Sequence, residues 1–265
     1  MPALPSLLSP GDPPPFSVHN SDGRARVLLV CDHAGRAIPR LLSQLGLADW
    51  VLDRHVAWDI GAAEVAVALA DRLDAPLVLA AYSRLVIDPN RDVDDPTACA
   101  PVSDGIAIPG NQGLGPVDRA RRAASCRDPY HAEIATRLDA FAGRGVTPAM
   151  IAVHTCTPVF NDVVRQWHVG VMWDEDPRIA VPLITALGRT EVCVGDNEPY
   201  SGRDPDDYTL DTHAERRGLP YVGIEVRQDL VDTDAGATHW AGVLAGALAP
   251  ILADDALYRP FAPTT

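Results

Sequence analysis

The chain has 265 residues, of which 47% are hydrophobic, as is typical of a globular protein with a substantial buried core. Its net charge is −14 at pH 7 and every basic residue is an arginine, which excludes catalytic lysines and argues against nucleic acid or anionic membranes as partners. No apolar run approaches the ~20 residues of a membrane span, and five scattered cysteines without a CxxC pair indicate a reducing compartment. We therefore expect a soluble, cytoplasmic protein.

Short apolar runs alternate with segments of helical periodicity along the chain. Strands are predicted at 26–31, 77–81, 149–153, 168–173, 191–194 and 221–226, and helices at 61–73, 117–141, 179–187 and 238–252. This alternation is typical of a three-layer α/β fold, with a mostly parallel mixed sheet flanked by helices. The Pro- and Gly-rich residues 96–116 predict a long loop of the kind that walls binding sites. Residues 1–20 predict a loose N-terminal arm and residues 21–265 a single domain.

Polar side chains stand at the ends of three predicted strands. His33 follows the first strand, His154 follows the third, and Glu225 lies at the end of the last. The carboxyl ends of parallel strands meet at one edge of a sheet, where ligands bind. Two imidazoles and a carboxylate suit a catalytic zinc ion, although iron or manganese also accept these donors. Spacing alone does not identify the third ligand, and a strand-end histidine is often only a hydrogen-bonded loop residue.

The segment YSRLVIDPNR, after the second predicted strand, carries Arg84, Asn90 and Arg91. Two arginines with an adjacent asparagine suit bidentate recognition of carboxylate groups. The alternative is a surface network between these arginines and the neighbouring aspartates. Both interpretations follow from the residues alone.

Several segments together resemble the N-formylglutamate amidohydrolase family. They are CDHAG, HVAWDIG, YSRLVIDPNR, PYH, VHT, NEPYSG and GIEVRQDL, and they occur in family order from about residue 26 to residue 230. That family is similar to the zinc carboxypeptidase and aspartoacylase group, whose fold is a mixed, mostly parallel sheet flanked by helices. The resemblance implies a zinc-dependent amidohydrolase whose substrate is a small anionic N-formyl (or other N-acyl) acidic amino acid such as N-formyl-glutamate.

The resemblance also implies a role for each matching position. His33, Asp59 and His154 are the implied zinc ligands, with Asp32 as the alternative to Asp59. Glu225 is the implied general base, and Arg84 the group that polarises the scissile carbonyl. The residues expected to bind substrate are Asn90 and Arg91, at its carboxylate, and Tyr200, Arg203, His213 and Arg227, along the pocket.

Other interpretations of the same residues remain open. Glu225 could form a buried structural ion pair with Arg227. Cys31 or Cys156 could act as a nucleophile beside a histidine, although both more often pack as small hydrophobic residues. The fold could also bind a metal or an anion without catalysis, or act on a peptide or an N-acetyl-aspartate-type substrate.

Overall fold

The computed structural model describes residues 5–160, 162–204 and 207–261. The strands are β1 (Phe16–His19), β2 (Val27–Cys31), β3 (Leu77–Ala80), β4 (Val102–Ser103), β5 (Ile106–Ala107), β6 (Ala149–Cys156), β7 (Val159–Phe160), β8 (Val163–Val164), β9 (Val169–Met172), β10 (Val194–Asp196) and β11 (Tyr221–Arg227). The helices are α1 (Asp49–Leu52), α2 (Ala62–Leu73), α3 (Pro116–Arg122), α4 (Asp128–Gly143), α5 (Pro177–Leu187), α6 (Tyr208–His213) and α7 (Asp234–Leu252).

One mixed sheet forms the centre of the fold. Its strand order is β1-β3-β2-β6-β11-β9-β10, and the pairs β4–β5 and β7–β8 form two separate short hairpins. The neighbours β3, β2, β6 and β11 run parallel, whereas β1 is antiparallel to β3 and β9 is antiparallel to β11. This confirms the predicted mixed, mostly parallel sheet.

Helices cover both faces of the sheet, so its central strands are buried on both sides. In β2, Leu29 and Cys31 pack in the core formed with α2, α5 and α7. Leu28 and Val30 face the other core, to which α4 and α6 contribute. A continuous apolar run such as VLLVC is therefore required, because successive side chains enter opposite cores.

The helix α7 is longer than the sequence pattern suggested. By length and composition it is apolar enough to cross a membrane, contrary to the expectation from the sequence. Its inner face, which includes Trp240, Leu244 and Leu248, packs in the core. Core helices of globular proteins pass the same test of length and composition, and this packing gives α7 a structural role.

Several element boundaries differ from the predictions. The predicted helix 117–141 is divided into α3 and α4 by a π-helical turn at Ala123–Arg127, just before Pro129, whose ring and missing N–H disfavour a continuous helix. The strand predicted at 191–194 instead forms at Val194–Asp196, because pairing with β9 begins at Val194.

The predicted loop and arm also contain regular structure. Residues 96–116 include the β4–β5 hairpin. Residues 16–19, within the predicted arm, form β1 at the edge of the sheet, while residues 1–4 lie outside the described residues. Pairing with β3 at the sheet edge satisfies the backbone hydrogen-bonding groups of β1. The apolar pattern of the sequence alone did not predict this strand.

Candidate active site

Three strands carry polar side chains to one edge of the sheet. β2 ends at Cys31, and His33 follows two residues later. β6 continues past its predicted end, so His154 lies within it and is the direct register partner of Glu225 in β11. Paired residues of neighbouring strands point to the same face. All three side chains are buried, with exposed fractions between 2% and 7%.

Asp59 reaches these side chains from the turn before α2. Its backbone N–H donates to the carbonyl oxygen of His33 at 3.0 Å, which ties the two loops together. The loop after His33 also lies close to the chain beyond β3, since a Cβ added at Gly35 would be 2.1 Å from the carbonyl oxygen of Ala81. Only glycine fits there. The glycine of CDHAG thus fixes where His33 lies.

The side chains of His33, Asp59 and His154 converge. Oδ2 of Asp59 lies 3.3 Å from Nδ1 of His33 and 3.2 Å from Nδ1 of His154. One donor atom from each residue lies within 4.8 Å of the others. A tetrahedral zinc ion with bonds of about 2.0–2.2 Å separates its ligand atoms by roughly 3.3–3.6 Å. The two separations from Oδ2 of Asp59 match this spacing.

A second carboxylate faces the other nitrogen of each histidine. Nε2 of His33 is hydrogen-bonded to Oδ1 of Asp88 at 2.7 Å, and Nε2 of His154 lies 3.3 Å from Oδ2 of Asp32. Carboxylates in this position hold the proton on Nε2 and leave the Nδ1 lone pair for a metal. Asp32 lies behind His154, so Asp59 rather than Asp32 completes the converging group.

Burial and charge act in opposite directions on these residues. Burial lowers the pKa of His154, but the carboxylates of Asp32 and Asp59 outweigh it and raise that pKa well above its ordinary value. Burial raises the pKa of Asp59, but Arg84 and the two histidines outweigh it and hold that pKa well below its ordinary range. Buried carboxylates that outnumber the nearby fixed cations favour a bound cation, which supplies the chemical basis for a metal here.

Glu225 stands beside this group with one oxygen unsatisfied. Its Oε2 is buried and has no hydrogen-bond partner among the residues that the structure describes. Burial raises the pKa of Glu225 to about 7, against the opposing effect of His154 and Arg84. A carboxyl group that titrates near neutrality can accept a proton and return it. The alternative ion pair does not form, because Arg227 pairs with Asp229 at 2.7 Å.

The YSRLVIDPNR segment lines the same cavity. Arg84 donates to Oδ1 of Asp59 at 2.6 Å, while its Nε is buried without a partner in the described part of the chain. Asn90 and Arg91 lie beside it on the cavity wall. Oδ1 of Asn90 accepts from the backbone N–H of Thr209 at 2.8 Å, which fixes the amide. Two guanidinium groups and a fixed amide can bind anionic ligand atoms.

The cavity itself is small. Its volume is about 180 Å³, and Tyr200 forms part of its wall together with the candidate ligands, Glu225 and the two arginines. Drug-sized ligands occupy pockets of about 300–1,000 Å³. The volume therefore favours a compact substrate.

Three of the residues expected to bind substrate do not line the cavity and have other contacts. Arg203 stacks on the ring of Trp173, with 5.1 Å between its guanidinium carbon and the ring centre. His213 is buried against His131, with 3.0 Å between ring nitrogens. Arg227 is turned toward Asp229, as described above. Proximity to a matching motif does not determine the direction of a side chain.

Sequence reasoning missed three contributors. Asp88, which was one of the aspartates in the alternative surface network, supports His33. Arg165, 6% exposed, donates to the Tyr200 hydroxyl at 2.8 Å. Asp207 lines the cavity. The position of Asp88 two residues before the Asn-Arg pair was a usable signal, whereas Arg165 follows a short hairpin and has no strand-end signal.

The two cysteines of the rival hydrolase are unsuited to nucleophilic attack. Burial raises the pKa of Cys31 well above its ordinary value, and burial also raises that of Cys156. A reactive thiolate needs the opposite shift. Neither sulfur lines the cavity.

Comparisons with known proteins agree with this geometry. The model of the family described as N-formylglutamate amidohydrolase matches residues 25–231. Among solved structures, a gene product of Agrobacterium tumefaciens has 32% identity and a TM-score of 0.90, covering 93% of this chain and 98% of that one. An N-formylglutamate amidohydrolase from Ralstonia eutropha has 18% identity and a TM-score of 0.65, covering 90% and 97%, and shows a shared fold. The curated proteins contain no match.

Proposed function

The chain belongs to the N-formylglutamate amidohydrolase family, and from that premise we propose that it hydrolyses the amide bond of an N-formyl or other N-acyl acidic amino acid, such as N-formyl-glutamate. We propose that the reaction uses a divalent metal ion, with zinc as our candidate. The observation that carries this proposal is the unsatisfied carboxyl group of Glu225 beside the His33, Asp59 and His154 cluster. The products are formate, or another carboxylic acid, and the free amino acid.

His33, Asp59 and His154 are the residues that would hold the metal. When bound, a divalent ion supplies Lewis-acid activation of the attacking water and of the scissile carbonyl. Asp88 and Asp32 orient the two imidazoles from behind, so that both Nδ1 atoms face Asp59.

Glu225 moves the proton. With a pKa of about 7 it is partly ionised near neutrality, and its carboxylate accepts a proton from water as the water oxygen bonds to the acyl carbon. The protonated carboxyl group then donates to the amide nitrogen as the C–N bond breaks. The amine leaves neutral, the carboxylic acid product loses its proton to solvent to give formate, and Glu225 returns to its starting state.

Three further residues act on the substrate. The guanidinium of Arg84, fixed by Asp59, donates to the carbonyl oxygen as negative charge develops there. Loss of one such donor typically costs ~100–1,000-fold in rate. Asn90 and Arg91 bind the α-carboxylate through directed N–H groups.

Several observations favour this function over its alternatives. A non-catalytic metal-binding protein has no need for a general base, yet Glu225 is held with a raised pKa beside the cluster. The cavity of about 180 Å³ favours a small N-acyl amino acid over a peptide. Five free thiols and a net charge of −14 agree with a cytoplasmic enzyme that binds neither nucleic acid nor membranes. We assign the activity to a single domain, which comprises residues 21–265 together with the edge strand β1.

The test combines metal analysis with formate release from N-formyl-L-glutamate, for the wild type and Glu225→Gln. We expect about one metal ion per chain in both proteins, and a loss of activity of at least ~100-fold in the variant. Glu133→Gln in α4 is the matched control and keeps wild-type activity, because Glu133 pairs with Arg137 at 2.7 Å and does not line the cavity. Metal without formate release would overturn the substrate, and absence of metal from both proteins would overturn the mechanism.

A further inference from the structure

Arg165 is a buried cation that the mechanism above does not use. Its exposed fraction is 6%, and none of the ion pairs among the described residues involves it. Buried arginines are normally paired, because an isolated charge is costly away from water. A buried guanidinium that has no carboxylate partner and contacts a residue of the cavity wall is therefore a candidate group for binding an anionic ligand.

The contacts of Arg165 hold it in place without neutralising it. Nη1 lies 3.3 Å from both the carbonyl oxygen and the hydroxyl of Thr157, and Nη2 donates to the hydroxyl of Tyr200 at 2.8 Å. The guanidinium carbon lies 4.7 Å from the ring centre of Tyr200 and 5.0 Å from that of Phe160. N–H groups on Nε and Nη2 are left without an acceptor in the described part of the chain.

Tyr200 connects Arg165 with the cavity. Tyr200 lines the cavity wall that also contains Glu225 and Arg84. Burial raises the pKa of Tyr200, as does Glu225, while Arg165 opposes them, so these groups lie close enough to interact. Because the Tyr200 oxygen accepts from Arg165, its own proton is available to a ligand.

A dicarboxylate substrate needs a further cation in this cavity. Arg84 is paired with Asp59, and the mechanism uses Arg91 for the α-carboxylate. Asp204 and Asp207 also line the wall and repel a second negative charge. A fixed positive charge outside these pairs is required to make binding of the second carboxylate favourable.

We propose that Arg165, together with the hydroxyl of Tyr200, binds the side-chain carboxylate of the substrate and so makes the enzyme selective for acidic amino acids. This inference rests on the proposed function and names the residues that determine its specificity. A neutral amide of the same shape cannot pair with the guanidinium charge. The site therefore discriminates N-formyl-glutamate from N-formyl-glutamine.

The experiment measures kcat/KM for N-formyl-L-glutamate and N-formyl-L-glutamine with the metal-loaded enzyme. We expect the wild type to favour glutamate by at least ~100-fold, as a charge-assisted bidentate contact allows. Arg165→Met lowers the glutamate value mainly through KM and the glutamine value far less, so the ratio falls below about 10. Tyr200→Phe changes the ratio in the same direction by a smaller factor.

The matched control is Arg144→Met, which removes a guanidinium that stacks on Phe141 at 4.8 Å away from the cavity, and which leaves the ratio unchanged. An unchanged ratio in Arg165→Met, or equal losses on both substrates, would mean that Arg165 only fastens the β7–β8 hairpin. If Arg165→Met does not fold, an unchanged ratio in Tyr200→Phe overturns the proposal.

Failure of the proposed function is recognised separately, because the wild type then releases formate from neither substrate. In that case we measure the affinities of the same proteins for L-glutamate and L-glutamine by calorimetry, and these affinities test the role of Arg165. A preference for glutamate of tenfold or more that Arg165→Met abolishes supports the assignment. No preference in the wild type overturns it.

Discussion

Two pairs of histidines are buried in this protein, and their surroundings are opposite. The ring centres are 5.2 Å apart in both pairs. His33 and His154 each lie between two carboxylates. His131 and His213 instead contact each other, and Nε2 of His131 is hydrogen-bonded to the carbonyl oxygen of Pro89 at 2.8 Å.

The difference shows that neighbouring charge, rather than burial, decides what a buried histidine does. Burial lowers the pKa of His131 and of His213 to about 4, so both stay neutral and act as fixed hydrogen-bonding groups. The same effect of burial on His154 is outweighed by its carboxylates. Of the two pairs, only His33 and His154, which lie among carboxylates, offer a site for a cation.

The largest expected effect comes from removing one histidine of each pair. His154→Ala should lose the metal and more than ~1,000-fold of the activity, because a bound metal supplies several kcal/mol of transition-state stabilisation. His213→Ala should retain the metal. Metal content and formate release of the two variants test this, and metal loss from His213→Ala alone would reverse the assignment of the pairs.

A smaller effect is expected from the carboxylate behind His33. Asp88→Asn keeps the shape of the side chain but removes the charge that faces Nε2. Metal affinity should fall by ~10–100-fold, as is typical for a group that supports a metal ligand. Competition with a chelator measures the affinity, and an unchanged dissociation constant would show that Asp88 does not act through His33.

Because His131 and His213 are neutral in the folded protein, we expect the free energy of unfolding to fall in acid. The pKa values of His131 and His213 fall from 6.5 to about 4 on folding, so between these pH values the unfolded chain binds protons that the folded chain does not. Stability is complete above pH ~6.5 and falls as the pH drops toward 4, by up to ~3 kcal/mol per histidine.

His213→Gln tests this prediction, because it removes one of the two titrating groups and keeps an N–H donor for His131. Urea unfolding of chelator-treated proteins at several pH values from 7 to 4.5 should give a flatter profile for the variant. His33 and His154 titrate in both proteins and cancel in the difference. Parallel profiles would contradict the assigned pKa shift.

The smallest effect is expected at the cysteines. The double variant Cys31→Ala, Cys156→Ala should keep formate release within about threefold of the wild type, because neither thiol reaches the cavity. Its activity is compared at equal folded concentration, since truncating buried side chains lowers stability. A loss of activity beyond ~100-fold in a variant with full metal content would favour the cysteine-hydrolase mechanism instead.

The sequence predicted those parts of the site that lie on strands or directly after them. His33, His154 and Glu225 mark the ends of apolar runs, so the periodic pattern and the parallel sheet bring them together. Asp59 required the family resemblance, because it reaches the site from a turn whose position depends on tertiary contacts with His33.

Other residues were beyond prediction because side-chain direction depends on tertiary partners. Arg203 contacts Trp173 and Arg227 pairs with Asp229, so neither side chain lines the cavity. No local sequence pattern predicts these contacts. Arg165 contacts the cavity wall through Tyr200, a residue 35 positions away in the sequence. The fold followed from periodicity, apart from β1, whose pairing at the sheet edge lies in a segment with little apolar signal.

The most direct test of the central claim is anomalous diffraction from crystals of the zinc-loaded protein. We predict a zinc peak bounded by Nδ1 of His33, Nδ1 of His154 and Oδ2 of Asp59, at bond lengths of about 2.0–2.2 Å. A peak between His131 and His213, or no peak at a saturating zinc concentration, would contradict this assignment.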